Sequence, residues 1–505
     1  MSVQNTNTGL GTQNNHNAPG QNINYGGDQI VMVNVGPHKS LWDAISGVGA
    51  SHRAEQQYSR GECLEGTRIE VLRVIHEWRT SNSDVPPILW LSGPVGVGKT
   101  AIAMTVAKSC EEDGLIESFF FFRSDSMRNN PSALMLTIAH GLGMRIPRLE
   151  PLISGRITTD PKILEATLEM QFQELILKPS LAQEDPGISP ITPSNPNLVI
   201  IDGLDECGGS ADQLRILAII GKSYQHTPRF PLRFLICSRS ESWIRQTFKA
   251  VPLRDITRSI VLDKMFDPGN DIERYLIHEL EGIRNSPEYE HVEFPTPWPS
   301  QEDYDCLVKR SDGQFVYVVT AVKFVKIPHC HPVKQLHSII DNALVNRPPK
   351  SPYPELDNLY HVVLEATPDH DIILTILAIL LLSPHKKMDA EERTRSPEWL
   401  ELLLGLSSGE IFLTLRAMHS VLEIQGPKDP IRVYHTSFTD YLFDPTRSGK
   451  FYVVDQQYVL AWRWGPALPR GTQSVKVYND DLAWRYILAE RWLLALSREG
   501  IGEYR

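Results

Sequence analysis

The sequence predicts an α/β fold, a parallel sheet with helices on both faces, and three observations predict it. Short apolar runs at 88–91, 117–123, 198–201 and 233–237 alternate with longer segments of helical period. The first run passes straight into a glycine-rich turn and then a helix-forming stretch. The third ends in a cluster of carboxylates.

The glycine turn organises the rest. Residues 89–103 read LWLSGPVGVGKTAIA, in which Gly93, Gly98, Lys99 and Thr100 fill the fixed positions of G-x-x-x-x-G-K-[ST]. A buried strand must end where the glycines begin. The segment Gly93, Pro94, Val95, Gly96, Val97, Gly98 then wraps backbone N–H groups around phosphate oxygens with no side chain in the way. The helix opening at Lys99, Thr100 and Ala101 turns its positive end to the same phosphates. Lys99 is expected to reach the β and γ phosphates as a point charge, and the Thr100 hydroxyl to ligate Mg2+. A glycine turn that merely happens to carry Lys-Thr leaves the flanking strand and helix unexplained.

Bulk properties narrow the classes. With 505 residues, 41% of them hydrophobic, the chain can bury more than one core and is expected to form two to four domains. Its six cysteines are scattered without C-x-x-C spacing, a reduced, intracellular set. His329, Cys330 and His331 lack a fourth nearby ligand and read as an ordinary loop. A net charge of -11, with no basic stripe, argues against a general nucleic-acid binder. The longest apolar run, 372–382, is about half of a bilayer span and reads as a buried helix. The amino terminus has neither a basic n-region nor an apolar h-region, so a cytoplasmic protein without a membrane span is expected.

Taken in order, residues 1–41 form an Asn-, Gln- and Gly-rich tail with too little apolar surface to order itself. Within it DQIVMVNV, 28–35, is β-prone, uninterrupted by Pro and of low charge, suited to cross-β pairing between copies or to an edge strand. From Trp42 to Ser81 the pattern is helical, with Thr67 expected to cap and Glu70 to complete a capping box. Arg68 either lies over a nucleotide base or is a solvated helix charge. Residues 132–142 and 162–177 read as amphipathic helices and 179–197 as a surface loop.

The apolar run 198–201 leads into Asp202-Gly203-Leu204-Asp205-Glu206. Downstream of a phosphate-cradling turn, Asp202 is the candidate Mg2+ residue, while Asp205 and Glu206 share the water-activating role. The run 233–237 leads to Arg239, which a neighbouring strand would bring to the γ-phosphate; pairing with Glu241 at a helix start is the alternative.

In order, GPVGVGKTAIA, FFFFRSD, LVIIDGLDEC and FLICSRSE resemble the NACHT class of STAND P-loop NTPases, above all fungal NOD-like-receptor-like members with a nephrocystin-type nucleotide domain. The resemblance extends through DIERYLIHEL and SDGQFVYVVTAVKFV to LLGLSSGEIFLTLRAMHSVLEI and VYHTSFTDYLFDPTRS. It implies a P-loop NTPase domain over 42–265, a helical domain over 266–365, a winged-helix-like domain over 366–455 and a helical tail over 456–505. By that similarity His435 contacts the bound diphosphate, ATP or ADP is the nucleotide, hydrolysis is slow, and the triphosphate form assembles into a homo-oligomer. Fungal innate-immunity or incompatibility signalling is the implied setting, with the N-terminal tail engaging an amyloid-type or other downstream effector partner. A nucleotide-binding scaffold that never hydrolyses is the competing reading. The chain departs from such proteins in carrying no sensor-type repeat period and no recognisable effector enzyme ahead of Trp42.

Overall fold

The structure, a computed structural model, describes residues 40–453 apart from 55–60, 82–84, 112, 124, 126, 182–196, 229, 263–265, 267, 342–350, 368 and 383–394, together with 23–25 and 29–31. The last two are strands β1 (Ile23–Tyr25) and β2 (Gln29–Val31), paired antiparallel within the chain. Of the loop expected over 179–197, the first residues belong to the helix Lys178–Leu181 and Asn197 to a strand, while 182–196 lie outside the described residues. So do the helical tail over 456–505 and the tail expected over 1–41, apart from these strands and from Ser40 and Leu41, which open the helix Leu41–Ile45.

A five-stranded sheet follows, built from β3 (Ile88–Ser92), β4 (Leu115–Phe120), β5 (Asn197–Asp202), β6 (Leu232–Ser238) and β7 (Thr257–Val261). Its order is β4-β5-β6-β3-β7 and every pairing is parallel. Side chains alternate between two cores, as the strand period of two requires. Ile88, Trp90, Val199, Ile201, Phe234 and Ile236 enter one core, and Leu89, Leu91, Leu198, Ile200, Leu235 and Cys237 the other. Covering both faces needs helices on both, which explains why these strands are apolar without interruption.

Three local expectations are corrected. The run at 117–123 leaves the sheet after Phe120; Phe121 N–H still donates to the Asp202 carbonyl (2.9 Å), but Phe122 N–H turns to Arg128 (3.3 Å). The helix expected over 162–177 is a 3-10 turn (Pro161–Glu165), a short α-helix (Leu168–Gln171) and a π-helical stretch (Phe172–Leu177). The break has a cause: fully buried Gln171 donates its amide to the Ile163 and Leu164 carbonyls, and Thr167 caps a new start. Thr67 forms no capping box either. Its hydroxyl donates to the Leu64 carbonyl, Glu70 pairs with Arg73, and helix Ile69–Thr80 starts from Arg68 in the left-handed region, φ 56°.

Beyond β7 the described chain is mostly helical and shares one further core. Helices Pro268–Arg284, Gln301–Ser311 and Phe315–Val325 come first, and the apolar run near 372–382 is the helix His370–Leu382. A two-stranded hairpin, β8 (Leu422–Glu423) with β9 (Arg432–Val433), leads into helix Thr436–Leu442. No helix among the described residues is long and apolar enough to cross a membrane. The helix Phe315–Val325 docks on the glycine turn: Val316 N–H donates to the Gly96 carbonyl at 3.0 Å, and a Cβ on Gly96 would lie 2.2 Å from Val316 Cγ1. A glycine there serves the packing of two parts of the chain as well as the turn itself.

Candidate functional site

The site is built where β3 stops. Gly96 and Gly98 take φ of 73° and 93°, the conformation that curls a backbone into an anion-cradling concavity, and helix Lys99–Ser109 begins at once. A cavity of about 490 Å3 opens over this turn, lined there by Val95, Gly96, Gly98, Lys99, Thr100 and Ala101. Gly93, Pro94 and Val97, expected to hold the same phosphates, are not among the residues that line the cavity. The Gly93 and Pro94 carbonyls accept hydrogen bonds from Lys99 Nζ (2.9 and 2.7 Å), and Val97 is packed in the core beneath the sheet. Burial lowers the pKa of the Lys99 ammonium, and the nearby Asp205 and Asp202 carboxylates oppose that shift.

The acidic turn lies beside it because β5 and β3 both flank β6. Thr100 Oγ1 donates to Asp202 Oδ2 at 2.8 Å, joining the start of the helix to the end of β5. A hydroxyl and a carboxylate so placed are the oxygen donors that a hard divalent cation takes. Asp205 is held differently: its Oδ1 accepts Arg239 N–H (2.9 Å) and its Oδ2 lies 3.2 Å from Arg239 Nε. Glu206 accepts from Arg123 N–H (3.2 Å) and from the Thr436 hydroxyl (3.1 Å).

Arg239 follows directly on β6, the neighbour of the carboxylate strand β5. It makes no pair with Glu241; besides Asp205 it donates through Nη1 to Asp440 (2.9 Å) and through Nη2 to the Thr436 hydroxyl (3.1 Å). Burial works against its charge, and Asp440 and Asp205 outweigh burial to raise its pKa. His435 reaches the cavity wall as the cap of helix Thr436–Leu442, its Nδ1 taking the Ser437 N–H at 3.1 Å.

Arg68 is in the wall as well, and is no solvated charge: it is 4% exposed. Its Nη2 donates to the Val97 carbonyl (2.8 Å), its Nε lies 3.7 Å from Asp271, and its guanidinium rests over the Phe315 ring. Arg68 thereby ties the glycine turn to the helical region.

Several wall residues carry no signal in the sequence. Lys323 projects two turns along the helix that starts at Phe315, its Nζ 2.9 Å from the centre of the Tyr434 ring, and burial lowers its pKa to about 8. Tyr275, Thr436 and Arg128 also line the cavity. Thr436 was within reach of the resemblance, being adjacent to His435; the others sit in unremarkable helix or loop patterns.

The cavity falls within the roughly 300–1,000 Å3 of small-molecule sites, and its glycine cradle, helix start and Thr100–Asp202 pair suit a nucleotide with Mg2+. Residues 69–239 match the family described as Nephrocystin 3, N-terminal. No curated protein matches the chain. Among solved structures it is similar to the Walker-type ATPase PABY2304 of Pyrococcus abyssi, with 14% identity and a TM-score of 0.36 over 76% of this chain and 98% of that one. It is also similar to Cdc6p from Pyrobaculum aerophilum, at 11% identity and a TM-score of 0.34 over 79% and 98% of the two chains. Because the matched family stretch opens just ahead of the glycine turn and closes on Arg239, it takes in the whole loop-and-acid half of the cavity. Residues 69–239 are thus similar to the Nephrocystin 3, N-terminal, family, and they carry the P-loop turn and the acidic strand end of a nucleotide site.

Proposed function

We propose that this chain is a nucleotide-operated switch of the STAND type, closed with ADP and opened by ATP. The observation that carries the proposal is the sharing of one guanidinium: Arg239 is held at once by Asp205, beside β5, and by Asp440 and Thr436, in the helix after β9. Whatever draws Arg239 toward a terminal phosphate loosens the C-terminal helix from the P-loop domain. The nucleotide need only discriminate between the two packings by a few kcal/mol.

The residues divide the work. The glycine turn and Lys99 hold the phosphates, and Thr100 with Asp202 hold Mg2+. Magnesium-bound triphosphate supplies a phosphoanhydride whose transferring charge is stabilised by the cation. Asp205 is committed to orienting Arg239, which leaves Glu206 to orient and deprotonate the attacking water. In the closed arrangement the Thr436 hydroxyl and Arg123 N–H engage Glu206, so turnover waits on opening.

On this reading 42–265, 266–365 and 366–455 are the units that rearrange. The open form assembles into a cytoplasmic homo-oligomer, and clustering raises the local concentration of the tail, 1–41, as the output toward an effector in immunity or incompatibility signalling.

Phosphate release tests the catalytic half. Slow release by the wild-type chain, abolished by Glu206→Gln while ATP affinity is kept, supports the switch. No release from the wild type under any condition favours a non-hydrolysing scaffold.

A further inference from the structure

Arg128 is the most buried arginine in the cavity wall, 2% exposed. Its backbone N–H and its Nε both donate to Asp125 (3.2 and 2.7 Å), and its guanidinium lies 5.0 Å from the centre of the Phe122 ring. Asp125 thus fixes one edge of the fork. Among the described residues the Nη1 at the other edge is buried without a hydrogen-bond partner. A buried guanidinium N–H left unpaired is costly, and such groups are retained where something else completes them.

The surroundings say what that is. Phe121, Arg123 and Asn129 clamp the acidic turn: Phe121 N–H donates to the Asp202 carbonyl (2.9 Å), Arg123 N–H to Glu206 (3.2 Å), and Gly208 N–H to the Asn129 carbonyl (2.9 Å). Arg128 therefore belongs to the acid end of the cavity. In the arrangement seen here the other two guanidinia at that end have partners to give up before they can meet a phosphate, Arg239 having Asp205, Asp440 and Thr436, and Arg123 having Asp440 and the Asp205 carbonyl, whereas among the described residues Nη1 of Arg128 has none.

We propose that Arg128 binds the terminal phosphate of a nucleoside triphosphate and so makes the site discriminate triphosphate from diphosphate. This rests on the reading of the cavity as a nucleotide site. A diphosphate is served by the glycine turn and Lys99, whereas the third phosphate projects toward the acidic turn, where its oxygens supply the acceptor that Nη1 lacks. Planar, fixed on one side by Asp125, the guanidinium is preorganised for that contact.

The test is calorimetric titration of the full chain and of Arg128→Gln and Arg128→Lys with Mg2+-ADP and a non-hydrolysable Mg2+-ATP analogue, with melting of each nucleotide-free protein. Arg128→Gln is expected to weaken the analogue about tenfold to a hundredfold and ADP less than threefold. Arg128→Lys, which keeps the charge and most of the volume, is expected in between, and it decides the matter if the Gln variant does not fold. An unchanged ratio of the two affinities in a folded variant overturns the proposal. So does an equal loss for both nucleotides that tracks a lowered melting temperature. Failure of the wild type to bind either nucleotide overturns the underlying reading of the cavity instead.

Discussion

Arg239 Nη1 and Asp440 Oδ2 meet at 2.9 Å although the two residues are 201 positions apart. The contact joins the end of a buried strand in the P-loop domain to a helix in the last described part of the chain. Asp440 also lies 3.4 Å from Arg123, so one carboxylate gathers two guanidinia over the acid end of the cavity. No other described carboxylate from beyond β7 bonds to Arg239, so in the proposed switch Asp440 is the point at which closure is most sensitive to charge.

Asp440→Ala is expected to shift the balance toward the open form. Losing a hydrogen bond between charged groups is worth about 1.5–3 kcal/mol, or roughly tenfold to a hundredfold in the closed-to-open ratio. Tighter binding of an ATP analogue, with faster proteolysis around helix Thr436–Leu442, is the readout. Unchanged binding and cleavage would deny Asp440 this role.

Lys99→Ala is expected to weaken both ADP and ATP by at least about tenfold, because the ammonium is the strongest point charge on the cradle. Stability without nucleotide is expected to fall by about 1–3 kcal/mol, since Lys99 Nζ gives up its hydrogen bonds to the loop carbonyls of Gly93 and Pro94. Titration calorimetry beside thermal melting separates the two effects.

Thr100→Val keeps the shape of the side chain and removes the hydroxyl that faces Asp202 at 2.8 Å. The gain in nucleotide affinity on adding Mg2+ is expected to shrink about tenfold, with affinity in a chelator nearly unchanged. Equal loss in both conditions would assign Thr100 to the phosphates rather than to the metal.

His52 governs part of the acid response. Burial holds its pKa down at about 4, with Glu111 opposing and Arg53 and Lys108 adding to the shift, while its Nδ1 meets Ser118 Oγ at 2.7 Å. Between about pH 6.5 and 4 the unfolded chain carries the extra proton, so stability falls as pH drops through that window, by roughly 3 kcal/mol in all. Below pH 4 the whole penalty is present. His52→Asn is expected to flatten this limb of a denaturation-against-pH series, and a limb as steep as wild type would point to other groups.

The sheet was legible because its signals are local. An apolar run that meets glycines, and another that meets carboxylates, each declare a strand end within ten residues, and the structure gathers Lys99, Thr100, Asp202, Asp205, Glu206 and Arg239 about one cavity. The partners of Arg239 were not legible, since Thr436 and Asp440 are some two hundred residues away and nothing in a helix of the pattern TSFTDYL marks a contact to a distant arginine. Arg128 was passed over for a different reason: in RSDSMRNN it reads as one more loop charge, and only tertiary burial distinguishes it. The misread helix over 162–177 turned on Gln171, which lies in the short helix Leu168–Gln171 while its buried side-chain amide binds the carbonyls of the 3-10 turn before it.

The switch itself is tested most directly by the mass of the full-length chain in sedimentation velocity, with saturating Mg2+-ADP and then with a saturating, non-hydrolysable Mg2+-ATP analogue. A single-chain species with ADP and a defined larger assembly with the analogue is the predicted pair of results. The same mass with both nucleotides, each shown to be bound, would contradict it.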